Sequence, residues 1–79
     1  MAEVKIYTTP TCVYCDAAKR FFNEHDVEYE EYDVSQDRER AIEMIHKSGQ
    51  MGVPVIEIDG EVIIGFDKPR IAQALGISG

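Results

Sequence analysis

The stretch VPVIEIDGEVIIGF, residues 53 to 66, carries two β-branched runs on either side of an Asp-Gly pair. Val55 to Ile58 and Glu61 to Ile64 read as strands, and Asp59-Gly60 supplies the two residues that a type I′ hairpin turn requires. Pro54 stands at the head of the first run. A proline there often does no more than begin a strand. The sharper expectation is a cis Val53–Pro54 peptide bond, which costs about 0.5 to 1 kcal/mol over trans. It would leave the Val53 N–H and C=O open to an added peptide strand.

Outward from the hairpin, the chain alternates strand and helix signals. Val4 and Ile6 alternate with Glu3, Lys5 and Tyr7, giving a first strand over about 3 to 8. Thr11 is placed to cap a helix whose inner face is Ala17, Ala18, Phe21 and Phe22, ending near residue 25. Val27, Tyr29, Tyr32 and Val34 mark an imperfect strand over about 28 to 33. Ser35 or Asp37 opens a second helix with Ala41, Ile42 and Ile45 on one side, stopped by Gly49. Asp67 caps a last helix with Pro69 in its first turn, Ile71, Ala74 and Leu75 inward, and Gly76 at its end. The order β-α-β-α-β-β-α defines an α/β fold, a four-stranded mixed sheet flanked by three helices. The first two strands are expected to be parallel through a right-handed crossover, with helices on both faces.

Seventy-nine residues make room for one small domain, residues 1 to 79. A hydrophobic fraction of 44% with only 3 prolines is that of a folded globule. A net charge of −7 argues against nucleic acid or an anionic membrane as partner. The longest apolar runs are too short for a membrane span, and the start of the chain has no basic leader, so a cytoplasmic location is expected. In that compartment two lone cysteines seldom form a permanent structural disulfide.

Those two, Cys12 and Cys15, lie in TTPTCVYC, residues 8 to 15. The spacing puts them one helical turn apart at the start of the first helix. Unpaired N–H groups and a partial positive charge there stabilise a thiolate, so the Cys12 thiol is expected below its ordinary pKa of about 8.5. Cys15, a turn further in, is expected to be more buried. Cys12 then attacks a substrate disulfide and Cys15 resolves the mixed disulfide. A zinc site is disfavoured, because one C-x-x-C supplies two ligands and His25 and His46 are 20 intervening residues apart. A metal cluster shared between two chains through Cys12 stays open.

A strand, C-x-x-C opening a helix, Val53-Pro54 before a hairpin, and Gly65-Phe66-Asp67 before a final helix together resemble the glutaredoxins. The resemblance spans nearly the whole chain. Thioredoxin proper is disfavoured, since that family is longer and has tryptophan beside its cysteines. The resemblance implies the thioredoxin fold, a cis proline at Pro54, and Cys12 as nucleophile with Cys15 resolving. It also implies glutathione as co-substrate, with no bound cofactor. The tripeptide's groove would be lined by Tyr14, Val53, Gly65, Phe66 and Asp67. Val53 would pair with its cysteinyl backbone, the N-terminus of the last helix would hold its γ-glutamyl carboxylate, and Asp67 would take its amine. Gln50 stands where a basic or amide residue would meet the glycyl carboxylate. Val13 replaces the usual proline, the usual basic residue before the first cysteine is missing from "TPT", and Ile64-Gly65 replaces the usual double glycine. CVYC and IGFDKP lean towards the NrdH-type redoxins, which resemble glutaredoxins, take electrons from thioredoxin reductase and feed ribonucleotide reductase.

Three functions follow as expectations. The first is a monomeric dithiol–disulfide oxidoreductase, reduced by glutathione and acting on protein or glutathione mixed disulfides. The second is a redoxin reduced by thioredoxin reductase. The third is a non-catalytic iron–sulfur carrier, for which a colourless purified protein would be decisive against.

Overall fold

A computed structural model describes residues 3–77. Its elements run β1 (Val4–Thr8), α1 (Val13–Glu24), β2 (Glu30–Asp33), α2 (Arg38–Ser48), β3 (Val55–Ile58), β4 (Glu61–Ile64) and α3 (Lys68–Leu75). The four strands form one sheet in the order β2-β1-β3-β4. β1 and β2 are parallel, whereas β1–β3 and β3–β4 are antiparallel. This is the expected mixed sheet, and the architecture is the thioredoxin fold.

The hairpin has the bounds read from its sequence. Asp59 and Gly60 close it with φ of 49° and 89°, both left-handed as the type I′ turn demands. Asp59 also ties the turn to the start of the chain. Its N–H donates to the Glu3 carbonyl at 2.9 Å, and its carboxylate accepts from the Glu3 N–H at 2.8 Å.

Side chains alternate across the sheet and divide the core in two. On one face Val4, Ile6, Ile56, Ile58 and Ile63 meet Ala18, Phe21 and Phe22 of α1 and Ile71 and Ala72 of α3. On the other, Tyr7 and Val55 meet Met44 of α2, flanked by Tyr32, Val34 and Ile45. The parallel register places Tyr7 opposite Tyr32, and their rings lie 5.4 Å apart. The same register puts Thr8 and Glu31 diagonally on the α1 face. There the buried Thr8 hydroxyl donates to Glu31 at 2.9 Å, and Lys19 of α1 meets the same carboxylate at 2.9 Å.

Three local expectations need correcting, and one alternative is decided. Thr11 does not cap α1; Cys12 does, because its Sγ reaches the Cys15 N–H. Cys12 is therefore at the N-cap, one residue before the first turn. Ile42 points outward, 48% exposed, while Met44 is buried. Along α2 the positions Ala41, Met44, Ile45 and Ser48 form the three- and four-residue stripe that faces the sheet, and Ile42 falls off it. β2 starts at Glu30 and not near 28, since its pairing with β1 begins at Lys5↔Glu30. Of the two proposed caps for α2, Asp37 serves, accepting from the Arg40 N–H at 3.2 Å. Ser35 is used in the preceding turn, donating to Asp33.

Candidate active site

The site is built at one end of the sheet, where β1 ends and β3 begins. Tyr7 pairs with Val55 as the last rung between these strands, and Val55 pairs with Ile64 on β4. The loops beyond these rungs are Thr9–Cys12, Gly52–Pro54 and Gly65–Asp67. All three open at the same end.

In the first loop Pro10 holds the second position of a turn closed by the Cys12 N–H on the Thr9 carbonyl, at 3.3 Å. That turn delivers Cys12 to the start of α1. Cys12 takes an extended backbone, φ −91° and ψ 112°, as an N-cap residue does. Its Sγ accepts the Cys15 N–H at 3.0 Å. This bond, and the helix terminus behind it, favour negative charge on Cys12 once the pair is reduced. Cys15 is completely buried, and Cys12 is partly exposed. The two are joined as a disulfide with their Cα atoms 5.2 Å apart.

In the second loop the Val53–Pro54 peptide is cis. Pro54 is fully buried, and its carbonyl accepts the Gly65 N–H at 2.8 Å. Neither the N–H nor the C=O of Val53 takes a hydrogen bond among the described residues. In the third loop Phe66 packs against Phe21 of α1, their rings 6.1 Å apart, and Asp67 caps α3 by accepting the Arg70 N–H at 3.4 Å.

Large exposed apolar side chains gather at this end. Val13 is 77%, Tyr14 67%, Met51 78% and Ile64 53% exposed. The structure thus brings Cys12, Cys15, Tyr14, Val53, Pro54, Gly65, Phe66 and Asp67 to one end of the molecule. Gln50 lies in the loop leading to this end, but its amide is engaged within the chain, with Gly52. That bonding and the Thr8–Glu31–Lys19 contacts are not evident in the sequence. Thr8 left a trace, a polar residue on the inward-facing register of Val4 and Ile6. Gln50 left none.

A buried and a partly exposed cysteine, linked as a disulfide where a central strand feeds a helix, define a redox protein of the thioredoxin fold. The chain belongs to the glutaredoxin family, whose profile matches residues 4–63. It is 41% identical over 72 residues to a glutaredoxin-like 8.6 kDa protein encoded in the rubredoxin operon of Clostridium pasteurianum, covering 91% of this chain and 96% of that one. It is 40% identical over 76 residues to glutaredoxin 3 of Escherichia coli K12, covering 96% and 92%. Its structure is similar to that of Escherichia coli NrdH-redoxin, a glutaredoxin-like protein described as having a thioredoxin-like activity profile. The TM-score is 0.79 at 27% identity, over 98% of this chain and 99% of that one.

Proposed function

We propose that the protein is a dithiol–disulfide oxidoreductase acting on protein disulfides and glutathione mixed disulfides. The observation that carries this is the Cys12–Cys15 disulfide, with Cys12 Sγ on the Cys15 N–H at a helix start. In the reduced form the Cys12 thiolate attacks one sulfur of the substrate disulfide. A Cys12–substrate bond forms, the substrate S–S bond breaks, and the distal sulfur leaves as a thiolate that takes up a proton. Cys15, deprotonated, then attacks Cys12 Sγ, expelling the substrate's second thiol. The pair has lost two electrons and two protons, and the substrate has gained them. An extended substrate backbone pairs with the open N–H and C=O of Val53 during attack.

The donor that returns the electrons is glutathione in the first reading: two molecules are oxidised to one glutathione disulfide per cycle. A flavoprotein thioredoxin reductase is the second reading. The exposed apolar rim of Val13, Tyr14, Met51 and Ile64 supports it, since such a rim suits a protein surface better than a charged tripeptide. The similarity to NrdH-redoxin supports it too. In either case the protein works as a monomer.

An NADPH-coupled assay with a small disulfide tests these readings. One arm holds glutathione and glutathione reductase, the other thioredoxin reductase alone. Turnover confined to the second arm rejects the glutathione reading, and turnover in neither rejects the oxidoreductase. Cys12→Ser abolishes activity in whichever arm works. Cys15→Ser keeps glutathione mixed-disulfide reduction and loses dithiol chemistry.

A further inference from the structure

The chain between α2 and the cis proline is held in an unusual way. Gly49 closes α2 with its N–H on the Ile45 carbonyl, and the Pro54 carbonyl is the next backbone group in a main-chain bond. Between them, among the described residues, Gln50 to Val53 make no backbone–backbone hydrogen bond. Two side chains hold the segment instead. Ser48 Oγ lies 2.7 Å from the Met44 carbonyl and 3.0 Å from the Gln50 carbonyl. The Gln50 side chain turns onto Gly52: its Oε1 accepts the Gly52 N–H at 2.5 Å, and its Nε2 donates to the Gly52 carbonyl at 3.0 Å. One amide thus satisfies both main-chain groups of one residue, as a neighbouring strand would. Residue 52 has no side chain to interfere, and a Cβ there would stand 2.7 Å from Gln50 Oε1. Immediately after it comes Val53, whose N–H and C=O make no hydrogen bond among the described residues.

We infer that Gln50 is a positioning residue. Its amide fixes the Val53 main chain as the docking edge for an extended, disulfide-bearing peptide, and does not serve as a ligand for a substrate carboxylate. This rests on the thiol–disulfide reading above. Strand addition needs an edge that is already ordered, since a loose segment loses its freedom on binding. A small disulfide that makes no main-chain contact avoids that cost. The Gln50 clamp therefore selects for peptides over small disulfides.

The test uses prereduced full-length protein, which removes the question of donor. Rate constants are measured for a disulfide-cyclised peptide, for 5,5′-dithiobis(2-nitrobenzoate) and for glutathione disulfide. Gln50→Ala lowers the ratio of the peptide to the nitrobenzoate rate constant about tenfold, the order expected for losing one ordered pair of hydrogen bonds. Gly52→Ala, which displaces the Gln50 amide without deleting it, lowers the ratio similarly. The double variant is no worse than either single one, because both break one clamp. Amide hydrogen exchange at Gly52 in the oxidised protein rises about tenfold in Gln50→Ala. Equal slowing of peptide and nitrobenzoate, additive losses, or unchanged exchange at Gly52 overturns the inference. So does slowing confined to glutathione disulfide, which would make Gln50 a carboxylate ligand. Exchange at Gly52 does not depend on turnover, so the clamp and the functional reading fail separately.

Discussion

Cys12 occupies a position that serves two purposes. As N-cap of α1 its sulfur satisfies a helix N–H that would otherwise lack a partner, and under the proposed function the same contact stabilises the attacking thiolate. A serine or aspartate would cap the helix but could not exchange disulfides. Tyr7 shows the opposite case, a polar group placed for structure. Its ring is buried, and its hydroxyl donates to Glu43 at 2.6 Å. Burial first, and the Glu43 bond second, push the phenol up to about 12 from an ordinary value of 10.0. A group whose folded pKa is raised binds its proton more tightly in the folded state. Its stabilisation is complete below pH 10.0 and is lost as pH rises towards about 12. Tyr7→Phe is therefore expected to flatten the alkaline limb of stability in part, leaving a residual slope from Tyr32, raised by its hydrogen bond to Glu30, and from Lys19 and Lys47, raised by theirs to Glu31 and Glu57. Urea titrations between pH 9 and 12 check this, and a variant with the wild-type slope contradicts it.

Among the elements, the hairpin and the caps of α2 and α3 were legible, and the cap of α1 was not. Asp59-Gly60 between two β-branched runs admits one turn type, and a two-residue turn fixes the register of both strands. Gly60→Ala forces an alanine to φ 89° where no atom lies within 4 Å, so its cost is backbone strain alone. It is expected to be about 1 to 2 kcal/mol by urea unfolding, and a neutral result would contradict the turn. The cap of α1 was misplaced because cysteine is a rare cap, so Thr11 looked the better candidate by residue type. Ile42 was misplaced because hydrophobicity named it, while only the phase of α2, set by Met44 against Tyr7 and Val55, shows which side faces in. Gln50 illustrates the remaining limit. A side chain folded onto a main chain two residues away leaves no periodic trace, and the conformation of the loop that permits it is a tertiary fact.

The site and the carboxylates of Glu3, Glu28 and Glu30 lie at opposite ends of the sheet. The three loops of the site open at one end of the sheet. At the other end Glu3, Val4, Glu28, Tyr29 and Glu30 line a shallow groove that takes no part in the site. The larger half of the core lies between the sheet and the redox helix, with Phe22 completely buried against Tyr29, their rings 5.3 Å apart. Phe22→Ala should remove about 3 to 5 kcal/mol, a large share of the stability of a domain this small. Thermal unfolding is expected to show a markedly lower midpoint, and a shift of only a degree or two would mean the core had been misjudged. Trapping the mixed disulfide distinguishes the attacking cysteine from the resolving one. Cys15→Ser protein, prereduced and mixed with a linear peptide whose single cysteine is joined to 2-nitro-5-thiobenzoate, is predicted to release nitrothiobenzoate and accumulate a covalent peptide adduct that mass-spectrometric mapping places on Cys12. A reduced Cys12→Ser protein that forms the adduct at Cys15 at a comparable rate, with none at Cys12 in the Cys15→Ser protein, would contradict that assignment.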